Sequence, residues 1–109
     1  MELSKESFKL LILFYAANID GQLHSNELKT IAKKAADQET FENSLEQFRR
    51  MGDTEILDCI REHKALYAAT ETDRREILDE LLSLIRADER QSAMEKRLYA
   101  TVEKLLKTK

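Results

Sequence analysis

Apolar residues along this chain recur at the three- and four-residue intervals of an α-helix rather than at the alternating period of a strand. The first periodic segment begins after Ser4, a candidate N-cap, and runs into eight consecutive apolar residues at 10–17. A helix that is apolar all round needs neighbours on several sides, so this one is expected at the centre of the fold. After a turn at 18–23, a second helix carries Leu28, Ile31, Ala32 and Ala35, a narrow face of small residues that permits close helix approach. A third covers Phe41, Leu45 and Phe48 and ends near Gly52, where a left-handed C-cap is expected. Asp53 reads as the cap of a fourth helix bearing Ile56, Leu57, Ile60 and Tyr67; it frays over 68–72, where Thr70 and Thr72 offer the next cap. The fifth holds Ile77, Leu78, Leu81, Leu82 and Ile85. The sixth opens at Ser92, whose Ser-x-x-Glu spacing to Glu95 is a capping box, and buries Met94, Leu98, Val102 and Leu105.

Composition strengthens this pattern. Proline is absent and Gly21 and Gly52 are the only glycines in 109 residues, so backbone breakers are missing almost everywhere. The expected fold is all-α: a compact bundle of about six helices forming one domain over residues 1–109. The formal net charge of −3 offers no broad basic field for a phosphate backbone, so nucleic-acid binding is not expected. The apolar run at 10–17 falls far short of the roughly 20 residues that cross a bilayer, and no small-residue cleavage site follows it, so neither membrane insertion nor a signal peptide is expected. A lone cysteine, Cys59, cannot form an internal disulfide, which fits a cytoplasmic location.

Two stretches repeat one arrangement. In residues 16–28, Asp20 stands seven positions before Glu27; in residues 84–96, Asp88 stands seven positions before Glu95. Each pair follows an apolar helix and opens a new one, so the chain reads as an internal helix–acidic turn–helix duplication. Set on an EF-hand frame, Gly21, Leu23 and Glu27 fall at the turn, apolar and bidentate positions, with Asn18, Asp20 and His24 at the third, fifth and ninth. Ala16, however, occupies the first carboxylate position, and in the second copy Arg86 takes the third and Glu89 the glycine position, so a working calcium pair is not expected. Capping explains the carboxylates without a ligand: Glu27 and Glu95 stand three residues after His24 and Ser92, near the positive end of a helix dipole, and Asp20 and Asp88 can bond their own following amides. If the repeat has approximate two-fold symmetry, Asp20, Glu27, Asp88 and Glu95 come together instead as a hard oxygen cluster suited to a divalent cation.

An apolar helix, an Asp-Gly turn and a glutamate opening the next helix, carried by 16–35 and more weakly by 86–106, resembles the TerB-like family, that of the tellurite-resistance protein TerB and the N-terminal domain of DjlA-type co-chaperones. The resemblance implies an all-helical bacterial module linked to stress responses, and metal binding through Asp20, Glu27, Asp88 and Glu95. No nucleophile–base–orienter set accompanies these residues, so no enzymatic activity is expected.

Other candidates weaken on inspection. Cys59 and His63 lie one helical turn apart, but two ligands do not make a zinc site. Arg49, Arg50, Lys64, Arg74 and Arg75 are interleaved with carboxylates, the mark of a solvated face with i,i+4 pairs. Phe41, Phe48 and Tyr67 read as core, whereas Tyr15 at the end of the first helix could close the core or reach a ligand. The favoured function is a non-enzymatic module that binds a partner protein, with a divalent cation at the acidic turns. The alternatives are a metal-dependent hydrolytic enzyme using the same turns, which needs an open coordination position in a pocket, and a regulatory adaptor that homodimerises through the face around Phe41 and Phe48.

Overall fold

The computed structural model describes residues 3–18, 25–87 and 93–107, which form six helices and no strand: α1 Lys5–Ala17, α2 Ser25–Lys34, α3 Gln38–Arg50, α4 Asp53–Tyr67, α5 Glu71–Ala87 and α6 Ala93–Lys107. The all-α bundle of six helices read from the periodicity is therefore the observed architecture. Helix α1 begins where Ser4 Oγ accepts the Ser7 N–H at 3.1 Å. It ends at Asn18, whose backbone N–H donates to the carbonyls of Phe14 and Ala16.

Phe8, Leu10, Ile12, Leu13 and Phe14 have no exposed surface, because α2, α3, α4 and α5 all pack against α1. Burying each such side chain contributes roughly 1.5–3 kcal/mol, which makes α1 the main apolar element of the core. Phe14 also meets the rings of Phe41 and Phe48 with centroids 5.7 and 5.6 Å away, tilted in the manner aromatic quadrupoles favour. Helix α6 closes the other side against α5 and α4, burying Val102 and Leu106. Ile31 is the fully buried residue of α2, with Leu28, Ala32 and Ala35 packed partly against the core.

Local caps set the remaining boundaries. Asp37 caps α3 by accepting the Thr40 N–H at 2.7 Å, and that hydrogen bond holds its carboxyl below the ordinary value of 3.8. Thr70 caps α5 through its hydroxyl, which accepts the Asp73 N–H at 3.1 Å, as the sequence predicts. Arg74 then closes the α4–α5 turn by donating to the carbonyls of Ala68 and Ala69, both at 3.0 Å. Lys64 reaches the Leu105 carbonyl at 3.3 Å. Two members of the expected solvated basic face thus engage carbonyls at helix ends, while Arg50 and Arg75 pair with Glu46 and Glu71 one turn away.

The α3–α4 junction differs from the sequence expectation. Met51 is extended (φ −96°, ψ 140°), and Gly52 (φ −79°, ψ 165°) is the N-cap of α4, with Asp53 its first helical residue and no side chain capping the end. Two extended residues separate the helices, so the chain never enters the left-handed region there. A Cβ on Gly52 would meet only Glu55 Oε1 at 3.9 Å, an ordinary contact. Gly52→Ser supplies the missing capping hydroxyl and narrows the unfolded ensemble, so it should raise stability by roughly 0.5 kcal/mol in urea denaturation. A loss of about 1 kcal/mol would instead mean that the position requires glycine's conformational freedom.

Candidate functional site

The sequence points first to the acidic turns. Asn18 is half-buried at the end of α1 and lines a depression of about 400 Å³ with Phe48, Arg49, Met51, Asp53 and Ile56. Glu27 and Glu95 are each the third residue of their helix, α2 and α6. Their side chains, and the whole of Asp20, His24, Asp88 and Ser92, lie outside the described residues. Among the described residues no three His, Cys, Asp or Glu side chains converge as a metal-holding group.

The Cys59–His63 pair is fully placed. Both side chains are buried on α4. The Leu3 N–H donates to His63 Nε2 at 3.1 Å, which makes that nitrogen the acceptor; the proton therefore sits on Nδ1, which donates to the Cys59 carbonyl at 2.8 Å. One turn further on, the Tyr67 hydroxyl donates to the Leu3 carbonyl at 2.6 Å, and its ring lies parallel to the imidazole with centroids 6.3 Å apart. Both polar backbone groups of Leu3 are thus held by α4. With each ring nitrogen engaged, His63 is a strut between α4 and the segment before α1, a role that no spacing in the sequence announces. Cys59 Sγ stands 3.8 Å from Nδ1, and burial, assisted by the negative charge of Glu62, pushes its thiol above the ordinary value of 9.0. At neutral pH the folded chain should react with a disulfide reagent at least about tenfold more slowly than the urea-unfolded chain, because the thiolate is the nucleophile. Equal rates would show that burial does not protect the thiol, and a faster folded rate that it is activated.

The face around Phe41 and Phe48, weighed above as a dimer surface, is turned inward against Phe14. Tyr15 packs partly against the core. Leu66, 68% exposed on α4, is the large apolar residue left on the surface among the described residues.

A groove of about 530 Å³ runs between α1, the end of α4 and α5. Phe8, Tyr67 and Ile77 form its apolar part, and Glu6, Asp73, Glu76, Asp79 and Glu80 give it a carboxylate wall. Lys9 bridges the two long sides, with Nζ 3.2 Å from Glu80 Oε1 and 3.4 Å from Glu6 Oε2, and Lys5 stands 3.9 Å from Asp73. Glu80 Oε2 is buried without a hydrogen-bond partner. The signal for this wall is present in the sequence, where Asp73, Glu76 and Glu80 share one helix face at i, i+3 and i+7. Arg74 and Arg75 between them disguise it as mixed charge.

Burial alone would lower the Lys9 ammonium, but the hydrogen bonds and charges of Glu80 and Glu6 outweigh it, and the group titrates above its ordinary 10.5. A raised value means that the stability Lys9 contributes is complete below the unfolded value of about 10.4 and is lost as pH rises through the folded one. Urea midpoints measured from pH about 9 to 11 should therefore fall more steeply for the parent chain than for Lys9→Met. Parallel curves would mean that the ammonium gains nothing from its carboxylates.

No protein-family model, curated protein or solved structure matches the chain. Among the described residues no helix is long and apolar enough to cross a membrane.

Proposed function

We propose that the chain is a non-enzymatic, cytoplasmic helical module of TerB-like type that acts in a stress response by binding a partner protein, with a divalent cation at the acidic turns stabilising the bound form. The observation that carries this reading is a shared register. Glu27 is the third residue of α2 and Glu95 the third residue of α6, each helix touching the apolar helix that precedes it. A carboxylate in that first turn favours the positive end of a helix dipole, and two such ends derived from one repeated unit offer the hard oxygen donors a divalent cation takes. The role of the one buried Cys–His pair as a strut supports a binding module over thiol chemistry, and the groove beside α1 supplies a surface for the partner.

Titration calorimetry and thermal melting of metal-free protein with calcium, magnesium, manganese and zinc test the ion. Heat of binding and a rise in melting temperature at millimolar ion are expected, and neither appearing with any of the four removes it. For the partner, photo-cross-linking residues placed in turn at exposed positions on each helix, Leu66 and Glu76 included, should yield one discrete adduct with another protein in the host cell. No adduct from any position would remove the interaction reading.

A further inference from the structure

We infer that the groove between α1 and α5 is the docking site for a cationic, amphipathic segment of the partner protein, an inference that rests on the interaction reading above. Charge is the first ground. The groove takes five of the chain's 21 carboxylates and two of its 18 cations, so its formal charge of −3 equals that of the whole chain and the remaining sequence balances.

The groove's own lysines do not satisfy it. Lys9 engages one oxygen of Glu80 and leaves Oε2 buried with no hydrogen-bond partner. Glu76 and Asp79 are exposed and take part in no hydrogen bond or ion pair among the described residues. Glu6, Asp73 and Glu80, each about a quarter to a third exposed, are partly enclosed, and carboxylates so placed attract cations more strongly than the same groups on an open surface.

The floor decides the kind of cation. Phe8 and Ile77 lie closed off beneath it (0% and 4% exposed), so the half-buried Tyr67 ring is the carbon surface the groove presents, which a bare metal ion cannot use and an apolar anchor side chain can. A helix or extended segment that places a leucine or methionine on the floor, with lysine or arginine reaching Glu76, Asp79 and Glu80, meets both features at once. Its length is limited by the groove, whose volume suits the side chains of one or two helical turns.

The probe is a short helical peptide of leucine and lysine, labelled and titrated against the full chain by fluorescence anisotropy. Binding is expected with Kd on the order of 10–100 µM at low salt, weakened at least about tenfold in about 0.5 M salt. The double variant Glu76→Lys/Asp79→Lys should lose at least about tenfold in affinity with its melting temperature kept, since neither side chain has a partner to lose among the described residues. Reversal at Glu42 and Glu62, outside the groove, should leave affinity within about twofold. Equal loss from both reversals would show attraction by net charge and overturn the proposal. A peptide with serine for leucine that binds as well, or spermidine displacing the peptide at comparable concentration, would overturn it in favour of a purely ionic or polyamine site. Cross-linking in cells of the Glu76→Lys/Asp79→Lys chain separates this inference from its basis. An adduct that persists in the variant sinks the groove while the interaction reading stands, whereas no adduct from the parent sinks that reading itself.

Discussion

A helix with eight apolar residues in succession cannot face water on any long side, and the packing of the whole chain follows from giving α1 neighbours all round. Its only charged residues, Lys5, Glu6 and Lys9, fall on one edge of the first two turns, and that edge stays near solvent. The groove runs along this edge. The same constraint explains the polar contacts at the start of the chain: with Phe8 and Leu10 buried, Leu3 is drawn under α4, and its amide and carbonyl need partners there. His63 and Tyr67 supply one each. Core and clamp are therefore consequences of one segment's composition.

The order of elements was readable because it depends on local signals. Ser4 and Thr70 cap where a side-chain oxygen is available to an early amide, and apolar spacing identified Ile31, Phe41, Phe48, Ile56, Ile60, Ile77, Leu78, Leu81 and Val102 as core. Gly52 was misread because a glycine between two helices serves equally as the end of one or the start of the next. The choice depends on the extended backbone at Met51, which tertiary packing sets. The strut role of His63 was not legible for a related reason. Cys59 and His63 look like a pair when only their own helix is considered, and the partner that fixes the tautomer, the Leu3 amide, lies 60 positions away.

Candidate chemistry at the acidic turns and at the groove differs in what supports it. At Asp20, Glu27, Asp88 and Glu95 the argument is a repeated spacing together with matched helix registers, and local capping accounts for a carboxylate at each place. At the groove, spacing along α5 is joined by residues from α1 and α4 that no local rule brings together. Arg74 illustrates the difficulty of reading it from sequence: as a letter it neutralises the stripe between Asp73 and Glu76, but in the fold its guanidinium turns back to the Ala68 and Ala69 carbonyls. The stripe keeps its charge because the cation beside it is engaged at the end of α4.

That engagement bears on why the carboxylates are there at all. Like charges one turn apart on a helix oppose folding by a few tenths of a kcal/mol per pair, and Glu76 and Glu80 stand in that relation on α5. Lys9 offsets part of the repulsion at Glu80 and by that same ion pair ties α1 to α5, so one carboxylate facing α1 has a structural use. Glu76 and Asp79 have none among the described residues: they are exposed, stand inside α5 rather than at its cap, and take part in no hydrogen bond or ion pair there. Neutral residues there would close the same core at lower electrostatic cost. The bundle tolerates the cost because the burial along α1 outweighs it, and what the two carboxylates add is negative potential beside a groove that presents the Tyr67 ring, a property with no use in closing the core and one that would favour a cationic ligand.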